Sequence, residues 1–105
     1  MQQIIVHKGR TVIITVSVGF DVSNDVITSE IRVDQNREST LIAEWDVSFA
    51  TDGIDGELIL TLDDSVTGEV EQTTGYMDMK RIVGGEPVNV FDDPLEVLFK
   101  ETVTV

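Results

Sequence analysis

The chain has 105 residues, of which 20 are acidic and 7 are basic, so its formal net charge at pH 7 is −13. This balance argues against nucleic acid as a partner, because phosphate binding depends on clusters of Lys and Arg. The sequence has no Cys, which excludes disulfides, thiolate metal sites and thiol catalysis.

No apolar run approaches the ~18 residues that a membrane-spanning helix needs. The first ten residues also lack the pattern of a secretory signal. We therefore expect no membrane partner, one domain over residues 1–105, and synthesis in the cytoplasm followed by retention or assembly there.

The pattern of β-branched residues, alternation and turn residues predicts short strands throughout the chain. No segment carries a sustained helical period, so the sequence favours an all-β sandwich or barrel. The predicted strands, in chain order, are Gln3–His7, Thr11–Val18, Val26–Asp34, Leu41–Phe49, Glu57–Leu62, Tyr76–Val83, Val88–Phe91 and Leu95–Val105.

The clearest strand signal covers Leu41–Phe49, where apolar residues occupy every second position. Trp45, the only Trp, is expected to anchor the core from this strand. In the strand after Gly56, Leu58, Leu60 and Leu62 share one face and are predicted to be buried. Between the predicted strands, residues 63–68 favour a short helical turn capped by an acidic residue or Ser.

Residues 51–57 raise the question of a metal site, because Asp52, Asp55 and Glu57 lie close together in sequence. An EF-hand loop needs ligands at alternate positions, a Gly at position six, a Glu at position twelve and flanking helices. Here the spacing differs and the flanks are strands. The sequence therefore favours a tight turn at Gly53 and Gly56, with a weak cation site at the three carboxylates as the alternative.

Catalytic patterns are weak in this sequence. His7 is the only His, and no Ser lies in a G-x-S-x-G context that would make it a nucleophile. Tyr76 is either a tyrosine-corner residue or an interface residue. Met77 and Met79 are predicted to be core residues. The sequence indicates a non-enzymatic protein without cofactors.

Three segments carry a resemblance to a known family. Val26–Trp45 contains a strand that ends in Ile31-Arg32, a polar connection and a second apolar strand. The next segment, GELILTLDDSVT, is an alternating Leu strand that runs into a capped turn. The last, GYMDMKRIV, precedes the closing strand. This order resembles the small immunoglobulin-like β-sandwich proteins of tailed bacteriophages, and is similar to the N-terminal domain of the baseplate upper protein.

The resemblance implies an antiparallel immunoglobulin-like β-sandwich of about seven to nine strands. It also implies a virion structural protein that docks at the tail, the baseplate or a fibre attachment point. Its partners would be other virion proteins and copies of itself. A head decoration or capsid-stabilising protein is the first alternative, and a calcium- or carbohydrate-binding sandwich is the second.

Exposed strand edges pair readily with another chain. The two terminal strands and the single Tyr are therefore the predicted contact regions. The predicted interface residues are Ile4, Ile5, Val6, Tyr76, Val103 and Val105.

Overall fold

A computed structural model describes residues 3–36, 38–90 and 93–103 of the chain. Among these residues, no helix has both the length and the apolar character needed to cross a membrane. The elements are β1 (Gln3–His7), β2 (Val12–Ser17), β3 (Val26–Arg32), β4 (Leu41–Glu44), β5 (Asp46–Phe49), β6 (Glu57–Leu62), α1 (Asp64–Thr67), β7 (Thr74–Val83), β8 (Glu86–Asn89) and β9 (Leu95–Lys100).

The strands form two sheets. The large sheet has the order β1-β9-β7-β3-β4, with β8 paired to β7, and the small sheet has the order β2-β6-β5. All pairs are antiparallel except β1 and β9, which are parallel. The division into one sheet with β9, β7, β3 and β4 and another with β2, β6 and β5 is that of a variable-type immunoglobulin sandwich. The protein is therefore an all-β, immunoglobulin-like β-sandwich, as predicted.

The core lies between the sheets and is built by alternate residues of nearly every strand. In β6, Leu58 and Leu60 are fully buried and Leu62 is 2% exposed, as the period of two predicts. Met77 and Met79 of β7 are also core residues, which confirms their predicted place.

An inward position of β3 is polar. Ser29 of β3 is buried, and its hydroxyl donates a 2.6 Å hydrogen bond to the Asp78 carbonyl. The bond satisfies a polar group that would otherwise be costly to bury. Sequence alternation alone identified only the apolar neighbours of Ser29.

The predicted strand Leu41–Phe49 is divided in the structure. β4 belongs to the large sheet and β5 to the small one, and the chain crosses between them at Trp45. The Trp45 amide still donates to the Ser29 carbonyl of β3 at 2.9 Å. Alternation could not reveal this division, because inward positions of both sheets face the same interior.

Leu41 departs from the predicted inward face, since 44% of its surface is exposed. The pairing of β3 with β4 steps from Ile31–Ala43 to Arg32–Leu41 and so leaves Ile42 without a register partner. This bulge places Leu41 on the outer side, and Ile42 packs against the core. A one-residue slip of this kind exchanges the faces of a strand.

The segment after Lys100 differs from the predicted closing strand Leu95–Val105. β9 stops at Lys100, and the hydroxyl of Thr102 instead donates to the Lys8 carbonyl at 2.8 Å.

The predicted helical turn is present as α1, but no side-chain hydrogen bond caps it. Thr67 at the end of α1 is buried and donates to the Arg10 carbonyl at 2.7 Å, which ties α1 to the β1–β2 connection.

Candidate functional site

The loop between β5 and β6 uses its carboxylates to form turns. Asp52 accepts a hydrogen bond from the Ile54 amide at 3.0 Å, and Asp55 accepts one from the Glu57 amide at 3.0 Å. Asp55 also accepts from the Thr51 hydroxyl at 3.0 Å. Gly53 and Gly56 have φ of 85° and 75°, the left-handed conformation that favours Gly. The carboxylates of the predicted metal candidates Asp52 and Asp55 therefore stabilise the turn, and the third candidate, Glu57, begins β6.

Acidic side chains elsewhere behave similarly. Asp21 accepts from the backbone amide and hydroxyl of Ser23, and those bonds hold the pKa of Asp21 below its usual value. Asp63 precedes α1 and accepts from the Ser65 hydroxyl, which lowers its pKa. Across residues 3–36, 38–90 and 93–103, no three His, Cys, Asp or Glu side chains are arranged to hold a metal ion.

A half-buried cluster stabilises the loop between β2 and β3. The Arg81 guanidinium lies 3.0 Å from the Asp25 carboxylate and 4.4 Å from the centre of the Phe20 ring. The side chain of Asp25 is 9% exposed and that of Arg81 is 23% exposed. This ion pair and this cation–π contact attach the loop to β7. Their role is therefore to hold the loop in place.

The open face of the large sheet is shallow and charged. Glu30 lies between Asp78 on β7 and Glu44 on β4 in one cross-strand row. Arg32 contacts Glu30 at 3.1 Å and also donates to the Ser39 carbonyl at 2.7 Å. Depressions of about 100 and 620 Å³ lie over this region.

Tyr76 is half-buried and lies on this outer face, opposite Arg32 and Glu96. The described residues include no hydrogen-bond partner for its hydroxyl. The position therefore lacks the backbone bond that defines a tyrosine corner. Tyr76 instead lines the smaller depression.

The remaining predicted interface residues lie in different surroundings. Ile4 is half-buried and Ile5 is 47% exposed, whereas Val6 is fully buried. Val6 is thus a core residue and not a surface contact, because β1 turns it inward beside Phe99. Val103 is 97% exposed but lies outside any strand, and Val105 lies outside the described residues.

His7 lies at the end of β1 opposite Lys100, and its side chain is exposed. A Ser-His-Asp arrangement needs a hydroxyl and a carboxylate within hydrogen-bond reach of the imidazole. No such contact joins His7 to a Ser or an acidic side chain in the described part of the chain.

Edge strands differ in how they are protected against pairing. β4, β5 and β8 are each four residues long. They contain the acidic residues Glu44, Asp46 and Glu86, and β8 also contains Pro87. Short length, charge and Pro are the usual protections of a sheet edge. These three edges are therefore poor templates for another strand.

Two edge strands of the described sheets, β1 and β2, contain neither a charged Asp, Glu, Lys or Arg side chain nor Pro, and the longer of them is β2. Its six residues, VIITVS, contain neither charge nor Pro, and β6 is its only neighbour in the described sheet. Ile13 of β2 is 65% exposed. Sequence analysis placed interfaces on the terminal strands and missed this one. A usable signal was present, because all 20 acidic residues lie at or after Asp21.

An apolar groove of about 510 Å³ runs beside the β2 edge. It lies where the two sheets are open to solvent between β1 and β2. No charged side chain lines this groove. Its lining residues are Gln3, Ile4, Ile14, Thr15, Val16, Ser17 and Leu95.

Comparison with known proteins adds a distant structural likeness. No family model and no curated protein sequence matches the chain. A solved structure of the extracellular domains of the voltage-gated sodium channel beta4 subunit is similar over 97% of this chain and 92% of that chain. Its sequence identity is 9% and its TM-score is 0.42. Those extracellular domains form parallel homodimers that explain a role of the beta4 subunit in cell–cell adhesion.

Proposed function

We propose that this protein is a non-enzymatic structural protein of a bacteriophage particle. It acts as a docking module at the tail, the baseplate or a fibre attachment point, through contacts with other virion proteins. The observation that carries the docking role is the uncharged β2 edge beside an apolar groove. Exposed edges of this kind add a strand from another chain.

The shape of the surface supports binding by faces and edges. The two depressions on the large sheet are lined mainly by polar and charged residues, and the groove at β2 is open along a sheet edge. An enzyme site usually encloses its ligand in a concave pocket with a few convergent polar groups. An immunoglobulin-like sandwich, by contrast, is a common architecture of cell-surface domains.

The bacteriophage assignment is supported by the segments that resemble the virion family. The Ile31-Arg32 pair ends β3, and β6 runs directly into the turn that contains α1. Gly75 and Tyr76 lie at the start of β7. These features of β3, β6 and β7 support the proposal, whereas the turn at α1 lacks the side-chain cap that the resemblance implies.

Particle composition tests the proposal. Purified particles of a tailed phage that encodes this chain should contain it, as detected by peptide mass spectrometry, and tail fractions should retain it after head and tail are separated. Absence from intact particles would refute the virion role. Recovery with the heads alone would support capsid decoration in its place.

A further inference from the structure

We propose that two copies of this protein pair through their β2 strands, antiparallel about a two-fold axis at Thr15. The two small sheets then become one continuous six-stranded sheet across the dimer. This inference rests on the proposed function only in that the protein works through protein–protein contacts.

The backbone of β2 has the donors and acceptors that such pairing needs. The Val18 amide donates to the Gly56 carbonyl at 2.9 Å, so Val18 bonds to the β6 side. In the same register Val16 faces Leu58 and Ile14 faces Leu60, and these residues, two and four positions before Val18, bond to β6 as well. Residues of an antiparallel strand alternate in the side to which they bond. The N–H and C=O groups of Ile13, Thr15 and Ser17 therefore point away from β6, along the free edge.

A two-fold axis at Thr15 satisfies these groups. Thr15 faces Thr15 of the second copy, and Ile13 faces its Ser17. Three hydrogen-bonded pairs exchange about six bonds, and a Thr–Thr cross-strand pair is itself favourable. The same register brings Ile14 of one copy opposite Val16 of the other, on the groove side of the sheet.

A second copy of the chain can fill the groove. Ile4, Ile14, Val16 and Leu95 of one molecule would pack against the same four residues of the other, since a two-fold axis brings identical surfaces together. The contact adds apolar burial to the backbone bonds. It closes the opening between the sheets of both copies at once.

Electrostatics also favour this side of the molecule. Two molecules of charge −13 repel one another most strongly where their acidic faces meet. β1 and β2 contain no acidic residue, so copies that meet at β2 approach through their least acidic flank. Since no ion pair forms at the contact, added salt screens the remaining repulsion and should strengthen the dimer.

Light scattering after size-exclusion chromatography measures the state of the full chain over a concentration series. We expect the mass to rise with concentration from 11.6 kDa to twice that value, and to do so at lower protein concentration in high salt. A mass of one chain at every concentration and salt would overturn the inference. That result would leave docking onto another virion protein standing, because particle composition tests it separately.

Two substitutions at Thr15 locate the contact. Thr15→Pro removes only the N–H that points away from β6, and Pro is tolerated at such edge positions. Thr15→Lys places two like charges across the axis. Both variants should lose the dimer and keep the circular dichroism of the parent, whereas Ser48→Lys on the opposite edge strand should dimerise normally. A dimer that persists in both folded Thr15 variants would refute β2 pairing.

Cysteine cross-linking tests the register, because the parent chain has no Cys. Hydrogen-bonded partners in antiparallel strands have Cα atoms about 5.5 Å apart, a separation that a disulfide spans. Thr15→Cys should therefore oxidise rapidly to a covalent dimer. Ser48→Cys should remain monomeric, and preferential cross-linking of Ile5→Cys on β1 would contradict the proposed edge.

Discussion

Gly56 offers a sharp test of how the loop between β5 and β6 is built. Its φ is 75°, and a Cβ at this position would lie 2.4 Å from the Phe20 carbonyl oxygen and 2.9 Å from the Phe20 amide nitrogen. Both atoms belong to backbone, which cannot rotate away as a side chain would. Gly56→Ala therefore combines an unfavourable conformation with a steric clash.

The magnitude follows from these two contributions. A Cβ in the left-handed region costs about 1–2 kcal/mol, and forced overpacking costs typically about 1–3 kcal/mol. We expect a loss of about 3 kcal/mol in the free energy of unfolding. For a domain near 100 residues this corresponds to a Tm decrease of about 12–24 °C.

Gly84 supplies a matched control. Its φ of 57° is also positive, but a Cβ there would meet no atom within 4 Å. Gly84→Ala should therefore cost only about 1 kcal/mol, through conformation alone. Because Trp45 is 2% exposed, its fluorescence during urea and thermal unfolding reports the transition. Equal destabilisation by the two substitutions would refute the close contact between Gly56 and Phe20.

Three further predictions concern side chains. Millimolar calcium should leave the Tm unchanged. Asp55→Ala should lower the Tm, because it removes a turn hydrogen bond worth about 1 kcal/mol. A Tm rise with calcium that Asp55→Ala abolishes would instead support a cation site in this loop. Because its hydrogen bonds lower the pKa of folded Asp21, their contribution is present at neutral pH and is lost as the pH falls through that pKa. Urea midpoints of the parent and Asp21→Asn should therefore differ at pH 7 and converge in acid, and a constant difference would contradict this. Arg81→Leu leaves the largely buried Asp25 unpaired and should lower the free energy of unfolding by about 1–3 kcal/mol. The same substitution should cost less in an Asp25→Asn background, where no unpaired charge is left. Additive losses in this double-mutant cycle would show that the pair is not coupled.

Local sequence patterns predicted the strands well where alternate side chains face either the core or solvent along the whole strand. Alternation in Glu57–Leu62 correctly identified three buried Leu side chains, and the turn residues Gly53 and Gly56 have the positive φ expected of them. The predicted helical turn after Leu62 is present as α1. These features depend on neighbours within a few residues, which a linear sequence contains.

The candidate interface at β2 was harder to predict, because an interface of this kind depends on which strands have no neighbour on one side. The terminal strands were natural candidates, and β1 is an edge of the large sheet, but its Val6 is buried and β9 lies between β1 and β7. The β2 edge became visible only once the sheet order was known. An uncharged segment in an acidic chain was a hint, but the same segment in a sheet centre would have no bearing on binding.

By itself, the sequence determined the all-β class, the alternating core and the local turns, since side-chain periodicity and Gly conformation act over short distances. Only the tertiary structure decided that the chain changes sheets at Trp45 and that β1 pairs in parallel with β9. It also decided that β2 is left at an open edge. These features depend on long-range pairing, in which strands with the same alternation can occupy either sheet and either a central or an edge position.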